Sequence, residues 1–249
     1  MFPQITPVTR NIIILNVIFF VATFLLANAN INLEALLAGY FPLSPNFRSW
    51  QIITHMFMHA GLMHIVFNMF TLYSFGPVLE QVLGQKKFII LYFAAGLGGF
   101  ALYNIWNYYE VSQVTNFLVA HGFDLHDVYK TVDYSEPKYY PNFSNNQAIN
   151  TEAQKLFRIL KTPMVGASGA IFGVIAAFST LFPDAKLMFM FIPFPIKAKY
   201  LTPIIIVVSI VLGFGQFSGD NIAHFAHLGG AFIGFLFVWN WKKNRDRIQ

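Results

Sequence analysis

Six long apolar stretches constrain the fold of this chain more than any other feature. They cover roughly residues 11–29, 57–79, 88–107, 166–183, 201–217 and 222–241. Each reaches or approaches the length of about 20 mostly apolar residues that spans a bilayer. Backbone N–H and C=O groups cannot stay unpaired in lipid, so these stretches are predicted to be helices rather than open strands. The sequence therefore predicts an all-α integral membrane protein, with six transmembrane helices in one domain over residues 1–249.

Composition supports a membrane protein and excludes several kinds of chemistry. Hydrophobic residues make up 56% of the chain and charged residues 11%, whereas soluble domains carry about 25% charged residues. The chain has no cysteine, which excludes disulfide and thiol chemistry. Its net charge of +5 is explained by membrane topology and requires no nucleic-acid partner. The N-terminal segment lacks the cleavage site of a signal peptide, so the first apolar stretch is expected to remain as an anchor.

Basic residues mark one side of the predicted bundle. They precede the first span, follow the sixth, and occupy the connections between spans two and three and between spans four and five: Arg10, Lys86, Lys87, Lys186, Lys197, Lys199, Lys242, Lys243, Arg245 and Arg247. With six spans, all these positions fall on one side, and short basic connections favour the cytoplasm. We therefore expect both termini in the cytoplasm. The absence of extra domains suits a bacterial inner membrane.

The opposite side is expected to receive three connections, over residues 30–56, 108–162 and 216–221. Residues 108–162 are polar and tyrosine-rich, without clear periodicity. Connections of this length are usually functional or disordered, and surface loops also tolerate insertions without a role in catalysis. The end of the segment, about 151–161, has the pattern of a short amphipathic helix lying near the interface. The sequence thus predicts a long extracytoplasmic loop between helices three and four.

The second span carries an unusual set of polar residues. His64 and Asn68 are four residues apart and so share one helix face. Polar side chains inside an apolar span should face the protein interior and mark a functional site. His55 and His59 lie nearer the outer end, too far along a straight helix to join His64 in one compact site. We expect His55 and His59 to be hydrogen-bonded structural groups near the outer interface, as we expect of His224.

The fourth span opens with a serine among small residues. Gly166, Gly169, Ala170 and Gly173 surround Ser168 and would allow another backbone to approach closely. Taken alone, such a run is typical of helix packing. A position at the start of a helix adds backbone amide donors and the positive end of the helix dipole, which favour a developing anion.

The sixth span supplies a second histidine beside a close-contact motif. His227 is followed by Gly230 and Gly234, which form a GxxxG pair. If this pair packs against the glycine-rich start of the fourth span, His227 would lie beside Ser168. The apolar cores offer no acidic residue to orient the base, since Asp220 lies in the outer loop. A catalytic unit here would be a Ser–His dyad rather than a triad.

Together these motifs resemble the rhomboid family of intramembrane serine proteases. The resemblance extends over nearly the whole chain, with its motifs in three spans in the family's order: His64-x-x-x-Asn68, Gly166-x-Ser168-Gly169 and Ala226-His227-x-x-Gly230-x-x-x-Gly234. It implies a six-helix rhomboid bundle that hydrolyses peptide bonds in or near transmembrane segments. The substrates would be transmembrane proteins within the lipid bilayer. The resemblance implies no metal and no organic cofactor.

The resemblance also implies roles for individual residues. Ser168 would be the nucleophile and His227 the general base. The oxyanion hole would be formed by His64, Asn68 and the backbone amide of Ser168. Supporting positions would be Gly166, Phe172 (packed on the catalytic imidazole), Gly230 and Gly234. Glu80, after Gly76, matches a recurrent feature at the cytoplasmic end of the second helix. One departure is in the first loop, where many members have a Trp-Arg pair and this chain has Phe47-Arg48-Ser49-Trp50-Gln51.

Three other interpretations have different sequence requirements. The histidines could serve a metal site or proton path, although no cysteine or carboxylate joins them and the His-x-x-x-His spacing lacks the glutamate of a zinc peptidase motif. A catalytically inactive rhomboid-like protein that binds membrane proteins would typically lose the serine or the histidine, and this chain keeps both. A transporter would show internal repeats or broken helices, and no motif repeats between the two halves.

Overall fold

The computed structural model describes residues 4–132, 141–189, 192–215 and 223–245. Ten α-helices lie in these ranges: α1 (Pro7–Ala27), α2 (Leu33–Leu37), α3 (Gln51–Thr54), α4 (Leu62–Leu83), α5 (Gln85–Ala120), α6 (His126–Thr131), α7 (Gln147–Lys161), α8 (Ser168–Leu181), α9 (Ala198–Gly215) and α10 (His224–Arg245). The described residues also include a 3₁₀ turn at His55–Phe57 and two strands, β1 (Lys186–Phe189) and β2 (Ile192–Lys197).

The long helices agree with the predicted class of a helical membrane bundle. Four of those described, α1, α4, α5 and α9, are long and apolar enough to cross a bilayer. The shorter apolar helix α8 and the 22-residue helix α10 correspond to the predicted spans four and six. The chain is a multi-pass membrane protein, and the crossing of the bilayer by all six helices remains a prediction. Residues 216–221, predicted as an outer loop, lie outside the described residues.

Helices α8 and α10 contact each other backbone to backbone through glycines. A methyl group built on Gly230 would overlap the carbonyl oxygen of Gly169, and one on Gly234 would overlap that of Gly173. Only glycine permits this approach, because any side chain at these two positions of α10 would occupy the space of the α8 backbone.

Helix α5 joins the same contact from a second side. A methyl group on Gly99 would lie 2.7 Å from the carbonyl oxygen of Ala226 and 3.2 Å from Cα of Gly169. A methyl group on Gly229 would overlap the carbonyl oxygen of Gly98. Three helices therefore meet through their backbones, with α8 packed against both α5 and α10.

Glu80 ties the N-terminus of α1 to the C-terminal part of α4. Its carboxylate is 3% exposed. It accepts hydrogen bonds from the backbone N–H groups of Val8 at 3.0 Å and Thr9 at 2.8 Å, and from the hydroxyls of Thr6 and Thr9. The first amides of a helix have no partner within the helix, and the positive end of the helix dipole favours an anion there. Glu80 thus acts as a cap that α4 supplies to α1.

The helix that contains the predicted third span is longer than the span, whose boundaries in the membrane stay a prediction. Helix α5 continues to Ala120, and its 36 residues would measure about 54 Å, well beyond the ~30 Å hydrocarbon core. Residues 108–120, predicted as the start of a loop, are its last turns. The predicted start of the connection at residue 108 is therefore corrected to follow Ala120, and α6 lies in the remainder besides the predicted amphipathic helix.

The described part of this segment has a small apolar core of its own. The predicted amphipathic helix is present as α7, although it begins at Gln147 rather than near residue 151. Its apolar face packs against protein, in a cluster formed by Phe41, Val111, Val114, Leu118, Val128, Val132, Ala153, Leu156, Phe157 and Leu160. Lys155 of α7 also forms an ion pair of 3.0 Å with Glu110 of α5. Residues 133–140 of the predicted loop lie outside the described residues.

The beginning of the second span also differs from the prediction. Helix α4 starts at Leu62 rather than near residue 57. The backbone is extended at Met58 and again at Gly61, so it cannot continue the preceding 3₁₀ turn into the helix. His55 and His59 consequently lie on a bent connection, whereas the prediction placed them along the line of one straight helix.

Contacts bring the basic clusters to one end of the bundle. The ammonium group of Lys87 lies 5.7 Å from the ring centroid of Trp241, at the end of α10. One cavity is lined by Thr180 and Lys242, and an adjacent one by Thr180 and Lys199. The antiparallel strands β1 and β2, which pair Lys186 with Lys197, lie in the connection between α8 and α9.

The glycine contact generates a prediction about stability. The Gly230→Ala variant should unfold at a lower temperature than the native chain, because overpacking costs about 1–3 kcal/mol, or about 5 °C in a protein of this size. Helix propensity alone predicts the opposite sign, since alanine is favoured over glycine in a helix. Thermal unfolding in detergent, followed by circular dichroism at a helix wavelength, measures the difference.

The matched control for this measurement is Gly61→Ala. A methyl group on Gly61 would meet nothing within 4 Å, and its φ of 179° is open to any residue. Equal unfolding temperatures for the two variants would contradict the backbone contact between α8 and α10.

Candidate active site

Ser168 and His227 lie within hydrogen-bonding distance. Ser168 is the first residue of α8 and His227 lies in the first turn of α10. The distance from Ser168 Oγ to His227 Nε2 is 3.0 Å. Both side chains are half-buried, so the pair is reachable from outside the helix packing. When the imidazole carries its proton on Nδ1, Nε2 accepts a hydrogen bond from the serine hydroxyl. This is the geometry of a nucleophile and its general base.

Phe172 holds the imidazole of His227 by stacking. The two rings are 3.9 Å apart between centroids and 9° from parallel. Phe172 is one turn after Ser168 on α8, so its ring lies on the same helix face as the serine. The stack limits rotation of the imidazole and keeps Nε2 directed at Ser168.

Backbone hydrogen bonds attach the segment before Ser168 to the first loop and to the 3₁₀ turn. Met164 pairs with Gly39 through two backbone hydrogen bonds of 2.8 Å each, and the N–H of Gly166 donates to the carbonyl of His55 at 3.0 Å. Gly166 has a φ of +118°, a region that residues with a side chain rarely adopt. These bonds determine where α8 begins, and thereby where Ser168 sits.

His64 and Asn68 lie directly against Gly166. A methyl group built on Gly166 would be 2.8 Å from Nε2 of His64 and 3.8 Å from Nδ2 of Asn68. The lack of a side chain at Gly166 therefore leaves both side chains facing the backbone two residues before Ser168. Both come from the first two turns of α4.

Asn68 supplies a buried hydrogen-bond donor that no described residue accepts. The residue is 6% exposed, and its Nδ2 lacks a partner among the described residues. Buried polar groups are nearly always paired, and an unpaired one costs about 1–3 kcal/mol. Such a donor is consistent with a site that holds an oxygen anion only during a reaction. The free N–H groups at the start of α8 are further donors at the same place.

Two further histidines, His55 and His224, lie in this region. His55 is 1% exposed, and its Nδ1–H donates to the carbonyl of Gln51 at 2.8 Å. Burial lowers the pKa of His55 to about 4, so it is neutral at pH 7 and serves as a structural group, as predicted. The ring of His224 lies 6.0 Å from that of His227.

His59 contradicts the sequence prediction on one point. Its ring lies 5.1 Å from that of His64, because the extended connection before α4 turns the chain back toward the helix start. Both ring nitrogens are buried, next to the backbone of Phe57. The signal for the bend was Gly61, between the two histidines.

Sequence reasoning also missed the contribution of α5. Gly96 packs against the 3₁₀ turn, and a methyl group there would overlap Met56. Gly99 packs against α8, and a methyl group there would approach Gly169. The run Ala94-Ala95-Gly96-Leu97-Gly98-Gly99 was the available signal, since dense small residues in a span indicate close helix contact.

Comparison with known proteins gives matches over most of the chain. The model of the Rhomboid domain family matches residues 46–122 and 143–243. The chain is 28% identical over 192 residues to the yeast (Saccharomyces cerevisiae) protein "Rhomboid protein 1, mitochondrial", covering 76% of this chain and 41% of that protein. It is 25% identical over 187 residues to "Rhomboid protease GluP" of Bacillus subtilis, covering 75% of this chain and 25% of that protein.

A human protein is also similar to most of this chain. "Presenilin-associated rhomboid-like protein, mitochondrial" of Homo sapiens is 27% identical over 186 residues, which are 73% of this chain and 35% of that protein. The chain thus spans between a quarter and a half of the length of these curated relatives. The family model covers well over half of the chain, including all the residues of the site. This multi-pass membrane protein belongs to the rhomboid family.

Proposed function

We propose that this protein is an intramembrane serine endopeptidase that cleaves peptide bonds in or beside transmembrane segments of other membrane proteins. The observation that carries the proposal is the 3.0 Å separation of Ser168 Oγ and His227 Nε2 inside a bundle of apolar helices. The relative from Bacillus subtilis whose name includes "rhomboid protease" supports the same reaction class.

The first half of the reaction is acylation. Ser168 Oγ attacks the carbonyl carbon of the scissile bond while its proton passes to Nε2 of His227. The carbonyl oxygen becomes an oxyanion, which accepts hydrogen bonds from Nδ2 of Asn68, Nε2–H of His64 and the backbone N–H of Ser168. The imidazolium of His227 then protonates the leaving amine, the C–N bond breaks, and an ester remains on Ser168.

The second half is hydrolysis of this ester. His227 takes a proton from a water molecule, which attacks the ester carbonyl through a second oxyanion held by the same donors. Collapse returns the proton to Ser168 Oγ and releases a carboxylate product. These steps use side chains, backbone amides and water, so we propose no metal and no organic cofactor.

The substrate class follows from the position of the site. Because Ser168 is at the start of α8, water can reach it from the nearby membrane face rather than through the bundle. A transmembrane helix hides its carbonyl groups in its own hydrogen bonds, so the substrate segment must unwind locally before Ser168 can attack. Family resemblance favours substrates with small residues at the cleavage site and helix-destabilising residues nearby.

We further propose that all six long helices cross a bacterial inner membrane, with both termini on the cytoplasmic face. The grouping of Lys87, Lys199 and Lys242 at one end of the bundle supports this orientation. An even number of crossings is required for both ends of the chain to lie there. The relative in Bacillus subtilis is compatible with a bacterial location.

Substitution of either member of the pair tests the proposal. The Ser168→Ala and His227→Ala variants should each lose cleavage of a model single-span substrate in liposomes. Both should also lose labelling by a fluorophosphonate, which reacts with activated serines. Matched controls are Ser74→Ala on α4, a half-buried residue, and His121→Ala at the end of α5, an exposed one. Both side chains bond only to their own helix among the described residues.

Cleavage by Ser168→Ala near the native rate would overturn the assignment of the nucleophile. Absence of labelling in a folded native preparation would instead indicate a catalytically inactive protein that binds membrane proteins.

Asn68 allows a separate test of the oxyanion hole. The Asn68→Ala variant should reduce kcat on the order of a hundredfold with little change in KM, because the donor acts on the transition state. Its unfolding temperature should not fall, because Nδ2 of Asn68 makes no hydrogen bond with the described residues. The control is Asn16→Ala on α1, a buried asparagine whose Nδ2 bonds the carbonyl of Ile12 at 2.8 Å and which should keep native kcat. An unchanged kcat in Asn68→Ala would remove Asn68 from the oxyanion hole.

A further inference from the structure

A large apolar cavity lies between α8, α9 and α10, and the proposed hydrolysis does not use it. Its volume is about 650 Å³, within the range of about 300–1,000 Å³ typical of small-molecule sites. Leu102, Ile206, Leu228 and Phe232 contribute to a wall that is mostly apolar. Ile206 and Phe232 come from neighbouring membrane helices, so a ligand here would be in contact with the lipid phase.

A second cavity of about 350 Å³ adjoins the first and has a basic wall. Thr180 and Phe235 line both cavities, so the two form one groove. At its basic end the groove is bounded by Lys242, Lys243 and Trp239. Tryptophan is enriched at the level of lipid headgroups, which agrees with a position at the membrane surface.

The two lysines at this end carry positive charge that the described residues do not neutralise. Lys242 and Lys243 are exposed, and neither forms an ion pair within the described ranges of the chain. The nearby Lys197 and Lys199 differ, because both bind the carboxylate of Asp184, at 3.3 Å and 3.1 Å. The hydrogen bonds from Lys199 and Lys197 hold the pKa of Asp184 below its usual range, so this carboxylate stays ionised and is already occupied.

We propose that this groove binds an anionic phospholipid of the leaflet at the basic end of the bundle. The phosphate would lie against Lys242 and Lys243, and an acyl chain would fill the apolar cavity toward Leu102 and Leu228. The order of features along the groove, from charge through an aromatic boundary to hydrocarbon, is that of a phospholipid from headgroup to tail. A substrate helix fits less well, because a helix with its side chains is about 10 Å across and has no anion at a fixed place.

The test uses native mass spectrometry of the full chain in detergent, with phosphatidylglycerol and phosphatidylcholine of identical acyl chains. The native protein should retain one phosphatidylglycerol about tenfold to thirtyfold more tightly than phosphatidylcholine, because each basic side chain near a surface favours an anionic headgroup by roughly fivefold. Lys242→Gln with Lys243→Gln should abolish that preference and leave binding of phosphatidylcholine unchanged. Ile206→Trp, which fills the cavity, should weaken binding of both lipids.

The matched control removes two other positive charges from the same end of the bundle. Arg10 and Lys86 are exposed and do not line the groove, so Arg10→Gln with Lys86→Gln should keep the native preference. A preference that survives in the Lys242/Lys243 variant, or native lipid retention in Ile206→Trp, would overturn the proposal. If Ile206→Trp raised KM for a single-span substrate while lipid retention stayed native, the groove would be a site for a peptide helix instead.

Discussion

The rest of the structure depends on the backbone contact between α8, α10 and α5. Without side chains at Gly99, Gly230 and Gly234, the three helices approach until carbonyl oxygens meet α-carbons of the next helix. Lipid tails are as apolar as leucine, so close packing rather than hydrophobic burial stabilises helix association in a membrane. The same contact brings the first turns of α8 and α10 together, and a 3.0 Å hydrogen bond between Ser168 and His227 becomes possible.

Buried polar groups in this protein fall into two kinds that differ in their partners. The Glu80 carboxylate accepts several hydrogen bonds from the start of α1 and is fully used in holding two helices together. Asn68, in the same helix, keeps an unpaired donor beside Gly166. A satisfied polar group stabilises the fold, whereas an unsatisfied one is retained at a cost that a transient anion would offset. This contrast is the physical reason for assigning structure to one and proposing catalysis for the other.

The segment between α5 and α8 and the connection before α4 show where sequence reasoning was insufficient. The polar composition of residues 108–162 indicated a loop, but apolar residues spaced three or four apart on α5 and α7, such as Val114 and Leu156, are buried in one cluster. The histidines before α4 were treated as points on a straight helix, and extended backbone at Met58 and Gly61 changed their neighbours. In both places the deciding contacts join residues distant in sequence or follow from a few backbone angles, and hydrophobic periodicity contains neither kind of information.

The sequence by itself determined the class of the protein and the residues of interest. Long apolar stretches can only be helices in lipid, and the polar residues inside them, such as His64, Ser168 and His227, are too costly to be there without a role. Only the tertiary structure decided which of these residues meet and in what geometry. It brought His59 to His64, directed Nδ2 of Asn68 at Gly166 and stacked Phe172 on His227. Those distances depend on how closely three backbones approach, which is a property of the packed helices and not of any one of them.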